Sequence, residues 1–134
     1  AEEIYKSVDV WLPQPIRFTL ENQGSIEAHP LITITGRVFG GLTKIINPKL
    51  TNQTNGQWVQ YSGTLLNGQS VIIDAGAFTV TRANRSELAN VNSEFLFGGW
   101  QLEPGTNELQ IEWDADPLAS ARIGLRFVYR ERWY

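Results

Sequence analysis

The chain is written in short runs of alternating apolar and polar residues, each soon closed by a turn signal. Alternation of period two puts every second side chain on one face, which is the pattern of half-buried strands. Many such runs with turns between them select a sandwich or a barrel. In Ile16-Arg17-Phe18-Thr19-Leu20-Glu21 the even positions are apolar, and Asn22-Gln23-Gly24 ends the run. Across residues 31–38, Ile32, Ile34 and Val38 share one face, Thr33 and Thr35 the other, and Gly40-Gly41 turns the chain. Residues 42–46 read as a strand closed by Asn47-Pro48, and 51–56 as a polar loop. In 57–61, Val59 and Tyr61 oppose Trp58 and Gln60. Asn67-Gly68 is a turn signal, and the runs at 71–74 and 78–81 predict a hairpin over Ala75-Gly76-Ala77. Residues 85–91 carry what helical leaning there is. The fold expected is all-β, an antiparallel β-sandwich.

The last two runs allow a sharper prediction. Leu109, Ile111 and Trp113 share a face, with Glu108, Gln110 and Glu112 opposite; Ile123, Leu125, Phe127 and Tyr129 share another, with Arg122, Arg126 and Arg130 opposite. Folded as a hairpin about Asp116-Pro117, the apolar faces coincide, Glu112 meets Arg122 and Glu108 meets Arg126. A one-residue slip would bury charge, and each cross-strand pair would contribute about 0.2–1 kcal/mol. The arginine row is then a charge-paired, solvated face and not an anion site. Residues 1–15 read as a lead-in, with Pro13 and Pro15 spacing Trp11 from the first strand, and 16–134 as one sandwich domain.

With 134 residues the chain can bury a core without staples, and no cysteine is available for disulfides or thiolate metal sites. A net charge of −3 argues against a nucleic-acid partner. No apolar run is long enough for membrane insertion as a helix. The acidic start Ala1-Glu2-Glu3 is no signal peptide, and the chain contains no methionine, so it reads as processed or cut from something longer.

Chemistry-bearing residues are sparse. The lone His29, directly before Pro30, cannot build a histidine metal site, and no Gly-x-Ser-x-Gly elbow surrounds a serine. Asp74, Glu94, Glu103, Asp114 and Asp116 are the acids a glycosidase pair could draw on, but they sit where turn acids sit. Asp74 and the Asp114-Ala115-Asp116 stretch could ligate a structural calcium with backbone oxygens, but the ligand count is too low for a calcium loop, so no cofactor is expected. Asn52-Gln53-Thr54 and Asn84-Arg85-Ser86 fit the glycosylation pattern, which matters only in a eukaryotic secretory pathway. No phosphate-cradling loop is present. Aromatic rings remain. Trp58, Trp11 and Trp133 are the candidates for solvent-facing rings that stack on a sugar or anchor an interface, with Asn55 and Gln57 as hydrogen-bonding neighbours.

Several segments, in order, resemble siphovirus-type tail components, the family of distal tail and related minor tail proteins. They are Gly24-Ser25-Ile26-Glu27-Ala28-His29-Pro30-Leu31-Ile32-Thr33-Ile34-Thr35-Gly36, Leu66-Asn67-Gly68-Gln69-Ser70-Val71-Ile72-Ile73-Asp74, Trp100-Gln101-Leu102-Glu103-Pro104-Gly105-Thr106-Asn107-Glu108-Leu109, and the ending 121–134. Their residues also have physical reasons: Pro30 forgoes an N–H where pairing has not begun, Pro104-Gly105 suits a type II turn, Asp74 can bond a turn backbone, and Asn107 belongs to the same signature. The resemblance implies a galectin-like, jelly-roll-like sandwich on a tail-tip or baseplate hub, at the virion's tail tip and extracellular when acting. The His-x-Asn-x-Arg sugar strand of galectins is absent, since His29 is followed by Pro30 and Leu31.

The expected role is therefore structural docking to other tail or baseplate subunits. The alternative is a module that binds a cell-surface polysaccharide through Trp58, Trp11 or Trp133. No catalytic constellation supports an enzyme.

Overall fold

The computed structural model describes residues 2–11, 16–38, 44–116 and 121–133, and the side chains of 2, 7–11, 38, 115, 116, 121 and 122 lie outside that description. The turn expected at Gly40-Gly41, and Pro117 of the turn expected at Asp116-Pro117, with Pro13 and Pro15, also fall outside the described residues. The strands run in the order β1 (Glu2–Trp11), β2 (Ile16–Asn22), β3 (Leu31–Val38), β4 (Lys44–Asn52), β5 (Gln57–Gln60), β6 (Thr64–Leu65), β7 (Ser70–Asp74), β8 (Thr79–Arg82), β9 (Arg85–Ser86), β10 (Gly105–Asp116) and β11 (Ala121–Glu131). A 3-10 turn, Leu88–Asn90, and a short helix, α1 (Ser93–Gly98), precede β10. One sheet orders its strands β1-β11-β3-β7-β8-β9; the other orders them β2-β10-β4-β5, with β6 beside β4. All the pairings are antiparallel.

The two inner faces meet in one core. Ile32, Ile34, Val71, Ile73, Ile123, Leu125 and Phe127 come from the first sheet, Leu50, Val59, Leu109 and Ile111 from the second. Phe127 spans the layers: its ring lies 6.0 Å from Phe18 and stacks at 6.4 Å on Trp100. The β7–β8 hairpin predicted over 75–77 is present, and Trp58 and Gln60 face away from buried Val59 and Tyr61.

Four expectations change. The last two strands do not pair with each other: β10 lies between β2 and β4, and β11 between β1 and β3. Their apolar faces look at each other across the sandwich instead of sharing a sheet. Alternation reports that a face is buried, not which sheet it belongs to, and that is why the register argument misled. Glu108 therefore stands opposite Thr19, and Glu112 opposite Lys49 in a loose 4.0 Å ion pair. Arg126 stands opposite Ser7 and Thr33, its guanidinium 5.4 Å from the Tyr5 ring. Arg122 faces Trp11 and Arg37 in the register, its side chain outside the description.

Second, β4 does not stop at Asn47-Pro48. Lys49 pairs with Glu112 and Ile46 with Asp114, so Asn47 and Pro48 together oppose Trp113 in a bulge. Asn47 takes φ 52°, a left-handed conformation that Asn tolerates, and a bulge accepts a proline without an N–H. Third, residues 2–11, read as lead-in, run as a full edge strand along β11. Fourth, the helical stretch starts later than 85–91 suggested, at Leu88–Asn90 and then Ser93–Gly98.

Buried asparagines brace the ends of the strands. Asn107 Oδ1 accepts from Glu103 N at 2.8 Å and Asn52 Nδ2 at 3.0 Å, while its Nδ2 donates to the carbonyls of Glu103 (2.8 Å) and Gly105 (3.2 Å). Asn52 Nδ2 also donates to Gln101 O, and Asn22 Nδ2 to Ile26 O. Gly105, at φ 95°, makes the Pro104-Gly105 corner that delivers Asn107 inward.

Candidate functional site

Helix α1 reads Ser93-Glu94-Phe95-Leu96-Phe97-Gly98. Three consecutive apolar residues on a helix point about 100° apart, so one face cannot bury them all. Phe95 is the one that goes in: it is fully buried, with its ring 5.8 Å from Phe78. Leu96 is exposed, and Phe97 is 90% exposed. The helix cannot roll to hide them because both ends are tied to β5. Asn92 donates to Trp58 O and accepts from Gln60 N at 2.7 Å, and Gln57 Nε2 donates to Gly98 O. Gly99, at φ 75°, closes the helix with its N–H on Phe95 O.

Phe78 packs on the same helix through Phe95. It is exposed, and it holds φ 56°, the left-handed region that a bulky side chain rarely adopts. Strain of this kind costs of order 1–3 kcal/mol and persists only where the surroundings enforce it. Here it sets the ring against Phe95 and beside Gly99, where a Cβ would approach the Phe78 ring at 3.3 Å. Phe78, packed on Phe95, and Leu96 and Phe97, next to Phe95 in the helix, thus each leave apolar surface exposed. Reading the sequence for exposed tryptophans missed all three. The signal that could have found them is Phe95-Leu96-Phe97 followed by Gly98-Gly99, a run too short and too apolar to bury itself.

The residues singled out for sugar contact do not converge. Trp58 is half-buried on the outer face of the second sheet, and the ammonium of Lys49 sits 4.4 Å from its ring centroid. That face of the ring already holds a cation–π partner. Asn55 and Gln57 are committed to the loop behind the sheet: Asn55 Nδ2 donates to Gln101 O and Glu103 Oε2, and Gln57 Oε1 accepts from Gln101 N. Trp133 is 53% exposed but follows β11, in the other sheet. The Trp11 side chain lies outside the described residues.

Of the other marked residues, Asp74 Oδ1 accepts the N–H groups of Gly76 and Ala77 at 3.0 Å, and Pro30 O accepts from Ala75 N. Glu103 Oε2 takes bonds from Asn55 and Gln101, and Glu94 Oε2 lies beside Asn92 and Ser93. Among the described residues no group of three or more His, Asp or Glu is placed to hold a metal ion, and no helix is long and apolar enough to cross a membrane.

The family described as siphovirus-type tail component, C-terminal domain, matches residues 23–133. Among solved structures, the chain is similar to the crystal structure of SPP1 Dit (gp 19.1), described as a paradigm of hub adsorption apparatus in Gram-positive infecting phages. The TM-score is 0.59 at 10% identity, over 95% of this chain and 47% of that one. The chain therefore spans about half the length of that relative. No curated protein matches it.

Proposed function

This chain belongs to the siphovirus-type tail component family, and we propose that it is a non-enzymatic docking domain of the tail tip, contacting neighbouring tail or baseplate subunits. The observation that carries this reading is Phe97, 90% exposed on a helix pinned at both ends, whose buried Phe95 packs on a Phe78 held in a strained conformation. Burying an aromatic side chain contributes roughly 1.5–3 kcal/mol, and rigid aromatic anchors lose little entropy on binding. A protein contact is what such a patch suits, and interface anchors are typically of this kind.

The test is complementation of tail assembly by the Phe97→Ser chain. Removing an exposed ring should leave stability within about 0.5 kcal/mol, while the yield of infectious particles falls. Normal yield with an intact fold would contradict the docking role of the patch.

A second reading, a module for a cell-surface polysaccharide, draws on Trp58. Its outer face shares a sheet with Thr51, Gln60 and Gln110, and Arg17 and Gln53 both donate to Gln110 Oε1 at 3.0 Å. A sugar would have to displace Lys49 from the ring. Binding of a fluorescent fusion of the chain to host cells, lost on Trp58→Ala, would raise this reading above docking; no binding to any cell would remove it.

A further inference from the structure

The outer face of the first sheet ends in a cleft of about 510 Å³, within the size range of small-molecule sites. Its shape follows from register. Val128 and Leu31 are partners and form an apolar floor; Asp74 pairs with Leu31 on one side, and Glu3 pairs with Arg130 on the other. His29, Gly76, Tyr129 and Arg132 complete the lining.

The charges in this cleft are not equally engaged. Glu3 accepts from Arg130 at 3.2 Å and from the Tyr5 hydroxyl at 2.6 Å. One oxygen of Asp74 takes two turn N–H groups. Arg132 has no carboxylate partner among the described residues; it donates to the carbonyl of Glu27 at 3.2 Å, which leaves most of its five N–H donors for a ligand. Its backbone is fixed as well. Arg132 O accepts from Ser25 N at 2.8 Å and Ile26 N at 3.3 Å, an approach open only because residue 24 is glycine: a Cβ there would lie 2.4 Å from that oxygen. The cleft thus offers a guanidinium with no carboxylate bonded to it among the described residues, acceptor-only carboxylates, and a patch of aliphatic surface. Hydroxyls both donate and accept, and a guanidinium pairs best with phosphate or carboxylate.

We propose that this cleft binds an anionic glycan. Its phosphate or carboxylate sits on Arg132 and Arg130, its hydroxyls meet Asp74, Glu3 and His29, and the apolar side of a sugar ring covers Leu31 and Val128. The site uses none of the tryptophans, and it stands whether or not the Phe97 patch docks. The turn at 75–78 serves both places, through Gly76 in the cleft and Phe78 in the patch.

The test is a titration of the ¹⁵N-labelled chain, followed by NMR at low ionic strength, with glucose 1-phosphate, glucuronate and glucose. Expected are saturable shifts in the amides of 29–31, 74–76 and 128–132 with at least one anionic sugar, and much weaker ones with glucose. Whichever anion binds more tightly identifies the group recognised. Arg132→Gln should weaken binding about tenfold or more without altering resonances elsewhere. Arg130→Gln, at an exposed position, gives a second reading if the first variant disturbs the fold. Phe97→Ser should titrate like the parent chain. No saturable shift with either anion, equal binding of glucose, or binding indifferent to both arginine substitutions overturns the proposal.

Discussion

Replacing Asn107 with alanine should be among the most damaging single changes in the chain. Its side chain is fully buried and makes four hydrogen bonds, two as acceptor and two as donor. Alanine leaves the Glu103 N–H and one N–H of Asn52 without acceptors, and the carbonyls of Glu103 and Gly105 without that donor. A buried polar group left unpaired costs about 1–3 kcal/mol, so the two donors alone imply roughly 2–6 kcal/mol. Water entering the space vacated by the amide would recover part of this, which sets the expected loss near 3–4 kcal/mol. Against a total stability of about 5–15 kcal/mol that is a large fraction. Urea unfolding followed by tryptophan fluorescence measures it: with a slope of about 1–3 kcal/mol/M, the midpoint should fall by roughly 1–4 M. The outward neighbour Thr106, whose hydroxyl bonds Glu21 at an exposed site, is the control, and Thr106→Val should cost less than about 1 kcal/mol. A loss below about 1 kcal/mol for Asn107→Ala would refute the view that the asparagines brace the corner at 101–105.

Two further outcomes follow from packing and titration. Gly24→Ala should destabilise by about 1–3 kcal/mol, because the added methyl would meet the backbone of Arg132 at 2.4 and 2.7 Å; the same variant should weaken anion binding in the NMR titration. Tyr129 is buried with its hydroxyl on Glu21 O at 2.7 Å, and burial first, then the carboxylates of Glu131 and Glu21, push it from the ordinary 10.0 up to about 12. The folded state therefore keeps this proton after the unfolded state has lost it. Its contribution is complete below pH 10 and is lost as pH rises towards 12, so denaturation midpoints should drop across that window and Tyr129→Phe should flatten the drop.

The sandwich was legible because its signals are local. Alternation in 16–21, 31–38 and 57–61 and the hairpin at 71–81 each need only a few neighbouring residues. What failed was the assignment of strands to sheets. Glu108, Glu112, Arg122 and Arg126 fit a hairpin by sign and spacing, yet strands that face each other across a core show the same apolar alternation as strands that share a sheet. The bulge at Asn47-Pro48 was hidden for a related reason: a proline reads as a stop unless the partner strand is known to skip a residue there. The candidate patch was missed because its evidence is negative. Phe95-Leu96-Phe97 looks like core until the helix is seen to be tied down with one face inward. Trp58 shows the converse, a ring that alternation puts outside and that a lysine then covers.

The most direct measurement places a photo-crosslinking amino acid at position 97 of the chain in assembled tails, irradiates them, and identifies the adducts by mass spectrometry. The docking account expects a crosslink to another tail or baseplate protein at position 97, and a weaker one or none at position 58. An accessible position 97 that yields no protein adduct in intact tails would contradict it.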